Sequence, residues 1–128
     1  MKKKIYYHDT DSGGVVYYAN YLKFFEEART EFLARRGILI TDLIKEGRFF
    51  VVSRQEVDYK APVVYGEEIE VRAEIIASSG VRINFAQQAI KPDGRIAVEA
   101  KTTLVYVDNN FKPAIMPKEL RDKINSHA

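Results

Sequence analysis

The sequence predicts an α+β fold in which a five-stranded antiparallel sheet curls around one long helix. Three observations carry that expectation. A single stretch, Tyr18 to Arg36, repeats its apolar residues at three- and four-residue steps. Beyond Gly47 the apolar period drops to two. The period-two stretches are joined mostly by tight turns, and consecutive hairpins require antiparallel pairing.

Taken in order, Lys3 to Tyr7 reads as a short strand that ends at a polar glycine turn. The helix follows, with Tyr18, Tyr21, Leu22, Phe25, Ala28, Phe32 and Leu33 on one face and Lys23, Glu27, Glu31 and Arg35 opposite. Phe24 widens the apolar face, so the helix is expected to be wrapped rather than to lie on a surface. Eight of the fifteen aromatic residues precede Leu33, which places much of the expected core there. Gly37 is positioned for a left-handed C-terminal cap. Thr41 to Glu46 reads as a short helix, capped by Thr41 and stopped by Gly47.

Phe49 to Tyr59 is a predicted strand with imperfect alternation, ended by Pro62. Glu68 to Ile75 alternates cleanly, with Ile69, Val71, Ala73 and Ile75 on one face and Glu68, Glu70, Arg72 and Glu74 on the other. Val81 to Ile90 and Ile96 to Val107 complete the sheet. Ser78-Ser79-Gly80 and Pro92-Asp93-Gly94 supply the hairpin turns. Pro113 and Pro117 mark a loop, and Lys118 to Asn125 reads as a closing helix.

Length and composition bound the function. A chain of 128 residues is expected to form one domain, residues 1–128, with a real core. The absence of cysteine excludes disulfides, thiolate chemistry and cysteine-ligated zinc. No apolar run approaches the roughly 20 residues needed to span a bilayer. The first residues lack the apolar run of a signal peptide, so a reduced cytoplasmic setting is the expectation. A net charge of +2 is too small to imply a nucleic-acid partner, though it suits an anionic small molecule.

Possible chemistry is densest between Tyr7 and Asn20, in Tyr-His-Asp-Thr-Asp-Ser-Gly-Gly-Val-Val-Tyr-Tyr-Ala-Asn. A carboxylate in a glycine turn ahead of a helix can act as base or nucleophile, while backbone N–H groups and the helix dipole hold a developing oxyanion. Asp9-x-Asp11-x-Gly13-Gly14 matches a calcium loop at its first, third and sixth positions. It lacks the fifth ligand and the bidentate Glu at the twelfth, where Asn20 stands, so no metal is expected. Asp9 suits a turn-supporting role, accepting local backbone N–H bonds. Asp11 lies just ahead of Gly13 and Gly14, which let backbone approach a ligand.

His8, at a strand edge, reads as a hydrogen-bonded or exposed residue, and His127 as a disordered end. With no second well-placed histidine, a Ser-His-Asp triad is not supported. No glycine-rich nucleotide-binding pattern is present. The tyrosines Tyr6, Tyr7, Tyr17, Tyr18 and Tyr21 are read as core rather than as base-stacking platforms, because a basic face is missing.

The first motif, continued by Tyr21 and by Phe24-Phe25-Glu26-Glu27-Ala28-Arg29, resembles the signature of hotdog-fold acyl-CoA thioesterases. It is closest to the YbgC-like branch that includes hydroxybenzoyl-CoA thioesterase. A second stretch, Val57-Asp58-Tyr59-Lys60-Ala61-Pro62 with Tyr65-Gly66-Glu67, resembles that family's pattern at the end of its second strand. The resemblance implies a homodimer joined sheet edge to sheet edge with two sites at the interface, and a homotetramer above it. It implies hydrolysis of an acyl-CoA thioester, with coenzyme A as part of the substrate and no separate cofactor.

The catalytic carboxylate of the family falls on Asp11, and the backbone N–H that polarises the thioester carbonyl falls on Tyr18. Many YbgC-like relatives carry histidine where this chain has Tyr18, a difference expected to bear on acyl preference. Lys60 and Arg82, at or near strand ends, are candidate contacts for the coenzyme A phosphates, against the reading of each as an exposed, solvated side chain. The competing reading is a non-catalytic acyl-CoA-binding hotdog module. A dehydratase on this fold would want a histidine on or near the helix, which is absent.

Overall fold

The computed structural model describes residues 1–126, so His127 lies outside the described residues. Its elements are β1 (Lys2–Lys4), a 3-10 turn (Tyr7–Asp9), α1 (Asn20–Arg35), α2 (Ile40–Lys45), β2 (Phe49–Tyr59), β3 (Glu68–Ser78), β4 (Arg82–Ile90), β5 (Ile96–Val107) and α3 (Lys118–Ile124). The five strands form one sheet in the order β1-β3-β4-β5-β2, every neighbouring pair antiparallel. Helix α1 packs against β3 and β4. The sheet folded around one long helix is therefore observed as expected.

Periodicity explains most of the sheet. On β4, Ile83, Phe85, Gln87 and Ala89 are buried while the residues between them are not. The imperfect alternation of β2 has a local cause. Val52 pairs with Leu104 and Arg54 with Thr103, leaving Ser53 in a bulge that resets the faces. A second bulge, between Ile75 and Ala77, turns Ile76 out to solvent.

Four expectations need correction. The first strand is shorter and earlier than Lys3 to Tyr7. The Asp9 carboxylate takes the Tyr6 N–H at 2.9 Å and bends the chain into the 3-10 turn. Helix α1 begins at Asn20, two residues after Tyr18, and Thr41 does not cap α2, whose N-cap is Leu39. Of the early aromatics, only Tyr21, Phe24 and Phe25 are in the core. Tyr6, Tyr7, Tyr17 and Tyr18, in the segment ahead of α1, are exposed, as is Leu22 in the first turn of α1.

The core divides into two clusters along α1. Tyr21, Phe24, Phe25 and Ala28 meet Ile5, Val63, Ile69, Val71 and Val98 near the helix start. Leu33 and Ile38 meet Ile83, Phe85, Tyr106, Met116 and Ile124 near its end. Each such side chain contributes about 1.5–3 kcal/mol through burial. A polar chain lies within the sheet-helix layer. Arg29 donates to Gln87 Oε1 at 3.0 Å, Gln87 donates to the Phe25 carbonyl at 2.9 Å, and Gln55 donates to Thr102, which donates to Gln87. Burial pulls the Arg29 guanidinium below its ordinary value, and the nearby Glu26 charge opposes that shift.

Candidate active site

Asp9 and Asp11 sit two residues apart in opposite environments. Asp9 is 6% exposed. Its carboxylate accepts the Tyr6 N–H and lies 3.5 Å from His8 Nε2, while its carbonyl accepts the Tyr17 N–H at 3.0 Å and the Asn20 side-chain amide at 2.9 Å. The main chain of Asp9 thus fastens the 3-10 turn to the first residue of α1. His8 is exposed and stacks on Tyr6.

Asp11 stands at the tip of a small hairpin. Its N–H donates to the Val15 carbonyl at 2.9 Å, Gly14 N–H donates to the Asp11 carbonyl at 3.1 Å, and Thr10 bridges to Val16. Asp11 Oδ1 accepts the Gly13 N–H at 2.8 Å, and the carboxylate is otherwise open to solvent. Both glycines have a physical reason. A side chain at Gly13 would begin 3.2 Å from Asp11 Oδ1, and Gly14 has φ of 80°, a conformation costly to other residues.

The returning arm of this hairpin leads into α1 through Tyr17, Tyr18 and Ala19. Tyr17 N–H is used by Asp9 and Asn20 N–H by the Tyr17 carbonyl. No acceptor among the described residues takes the Tyr18 N–H. Ala19, the N-cap of α1, offers no capping side chain. The start of α1 therefore presents an unused donor at its partially positive end. Tyr59, at the end of β2, donates its hydroxyl to the Tyr18 carbonyl at 3.2 Å and packs edge-on against the Tyr18 ring. Burial chiefly raises the Tyr59 phenol, with Tyr18 adding to it, so Tyr59 stays a donor through neutral pH.

Asp9, Asp11, Gly13, Gly14 and Tyr18 are thus all brought into one turn joined to α1. Lys60 follows Tyr59 and pairs with Glu99 at 3.0 Å, at the Ala97 end of β5. Arg82 is at the opposite end of the sheet, in register with Val105. Tyr59 and Asn20 are given no role by sequence reasoning. Asn20 closes the first quoted motif, and Tyr59, which falls in the second, reaches Tyr18 from the end of β2.

Several cavities are open in the single chain. One of about 630 Å³ lies on the sheet among Glu56, Asp58, Arg72, Gln88 and Lys101. Another of about 290 Å³ lies between α1, α2 and β2. Neither is lined by Asp11 or Tyr18, so size of cavity does not find this site; unused hydrogen-bonding groups do. Among the described residues no three His, Asp or Glu side chains converge to hold a metal ion, and no helix is long and apolar enough to cross a membrane.

An antiparallel sheet around one long helix is the architecture of the hotdog fold, and the comparisons place the chain among thioesterases of that fold. The family model for the thioesterase-like superfamily matches residues 6–124, and the chain belongs to that family. It is 36% identical over 118 residues to the acyl-CoA thioester hydrolase YbgC of Escherichia coli O157:H7, covering 91% of this chain and 88% of that one. It is 32% identical to the acyl-CoA thioesterase YbgC of Helicobacter pylori strain 26695, over 98% of this chain and 99% of the other. Among solved structures, the DHNA-CoA thioesterase of Staphylococcus aureus superimposes with a TM-score of 0.89 at 27% identity, covering 95% of this chain and 83% of that one. A thioesterase of Thermus thermophilus, complexed with coenzyme A and zinc, superimposes with a TM-score of 0.85 at 27% identity, over 98% and 96% of the two chains.

Proposed function

We propose that this protein hydrolyses an acyl-CoA thioester to a free acid and coenzyme A. In this reading, Asp11 is the nucleophile or general base and the Tyr18 N–H is the oxyanion donor. The observation that carries it is the pairing, in one turn, of an exposed carboxylate with a helix-start N–H that has no acceptor. Similarity to named acyl-CoA thioesterases over nine-tenths of the chain supports the substrate class.

The chemistry is economical. The thioester carbonyl oxygen takes the Tyr18 N–H, which stabilises the negative charge that develops as the carbonyl is attacked. Asp11 either removes a proton from water as it adds, or attacks the carbonyl itself to give a mixed anhydride that water then opens. In both routes the C–S bond breaks and the thiolate leaves without needing a strong acid. Asp9 holds the turn. Lys60 stands beside Tyr59 and is the better placed of the two cations for a coenzyme A phosphate, since Arg82 is a strand's length away.

A homodimer, and a homotetramer built from it, accompanies this reading. β1 is a three-residue edge of lysines, whereas β2 offers eleven residues of edge with Val52 exposed beside it. Long open edges are ordinarily covered, and a second β2 would cover this one.

A panel of acyl-CoA substrates, assayed for release of free thiol, tests the function. The account expects at least one acyl class to be turned over. Saturable binding with no thiol release from any member would favour the non-catalytic binding module.

A further inference from the structure

The Tyr65-Gly66-Glu67 motif has no part in the chemistry above, and Lys91 is an unusual lysine at only 8% exposure. The two meet. Lys91 Nζ donates to the Pro62 carbonyl at 2.5 Å and to Glu67 Oε1 at 2.9 Å, and the same Oε1 accepts the Val64 N–H at 2.8 Å. The segment around Val63 is therefore gripped on both sides, by the carbonyl before it and the amide after it. Burial pushes the Glu67 carboxyl up, but the Val64 N–H, the Lys91 hydrogen bond and the Lys91 charge together hold it below the usual carboxylate range.

What that segment holds is the site. The Val63 carbonyl accepts the Val16 N–H at 2.8 Å, and Val64 bridges to Val15. The Val15 carbonyl in turn accepts the Asp11 N–H. A short series of hydrogen bonds thus links the buried ammonium to the residue at the hairpin tip. A buried ion pair is a weak source of stability, because apolar residues of similar volume often serve as well. Its geometry is what apolar residues cannot copy, since they offer nothing to the Pro62 carbonyl or the Val64 N–H.

We propose that Lys91 and Glu67 are positioning residues, a half-buried ionic clamp that sets the place of the Asp11 hairpin through residues 62–64. The proposal rests on the reading of Asp11 as the catalytic carboxylate. Lys91→Met keeps the aliphatic stem and removes the ammonium. Its kcat on an acyl-CoA that the wild type turns over is expected to fall about 10- to 100-fold, the scale of a misplacement near 1 Å. KM should change by less than about threefold, because substrate contacts are untouched.

Amide exchange in residues 11–16 should quicken about tenfold, while the β4 and β5 amides keep their protection. Glu67→Gln preserves shape and should fold; it is expected to lower kcat about fivefold with the same pattern. Unchanged kcat in the soluble variants, or loss in KM and in global protection alone, would overturn the clamp. If the wild-type chain released no thiol from any substrate, the thioesterase reading would fall. The exchange measurement would then still decide whether the clamp holds the hairpin.

Discussion

The two ends of α1 are finished in opposite ways. At the C-terminal end several loose groups are taken up. Gly37 N–H bonds the Ala34 carbonyl and Ile38 N–H the Leu33 carbonyl, the paired closure of a Schellman cap, with Gly37 at φ of 77°. Arg36 donates to the Ile124 carbonyl and lies over the Phe32 ring, and Lys123 donates to the Gly37 carbonyl. At the N-terminal end there is no capping side chain, the tyrosines are exposed, and the Tyr18 N–H is unused. The open end is the one at which the proposed function puts the thioester carbonyl. In that reading the closing cap and the donor left for chemistry fall at different ends of one element.

The largest effect that probes this division is at the closed end. Leu33→Ala removes a fully buried side chain from the second core cluster and should cost about 2–5 kcal/mol. Chemical denaturation measures that loss. The kcat per folded molecule should stay at the wild-type value, and a parallel fall in kcat would mean that the two ends are not separable. A smaller effect is expected at Gly37. No atom lies closer than 3.9 Å to a Cβ added there, so Gly37→Ala meets only the left-handed backbone penalty of about 1 kcal/mol. Thermal unfolding reads it, again with unchanged kcat.

Much of the fold is legible in the sequence for reasons visible in particular residues. Strands β2 and β5 run from Phe49 to Tyr59 and from Ile96 to Val107, as the alternation and the flanking Pro and Gly residues indicate. Tyr18 continues the apolar spacing without being buried, so periodicity alone places the start of α1 two residues early. Alternation alone also makes the first strand too long, because the bond from Tyr6 N–H to the Asp9 side chain overrides it. The Asp11 turn is legible because its carboxylates and glycines are adjacent. The groups that brace it are not. Lys91 and Glu67 are 24 residues apart and meet only when the sheet closes.

The central claim is that Asp11 supplies the chemistry and contributes little to the fold. Asp11→Asn tests it most directly, because its side-chain oxygen still accepts the Gly13 N–H while the negative charge is gone. The account predicts wild-type thermal stability and a loss of acyl-CoA hydrolysis of at least about 100-fold, the scale of removing a principal transition-state contact. A variant that folds normally and keeps most of its thiol-release activity would contradict it.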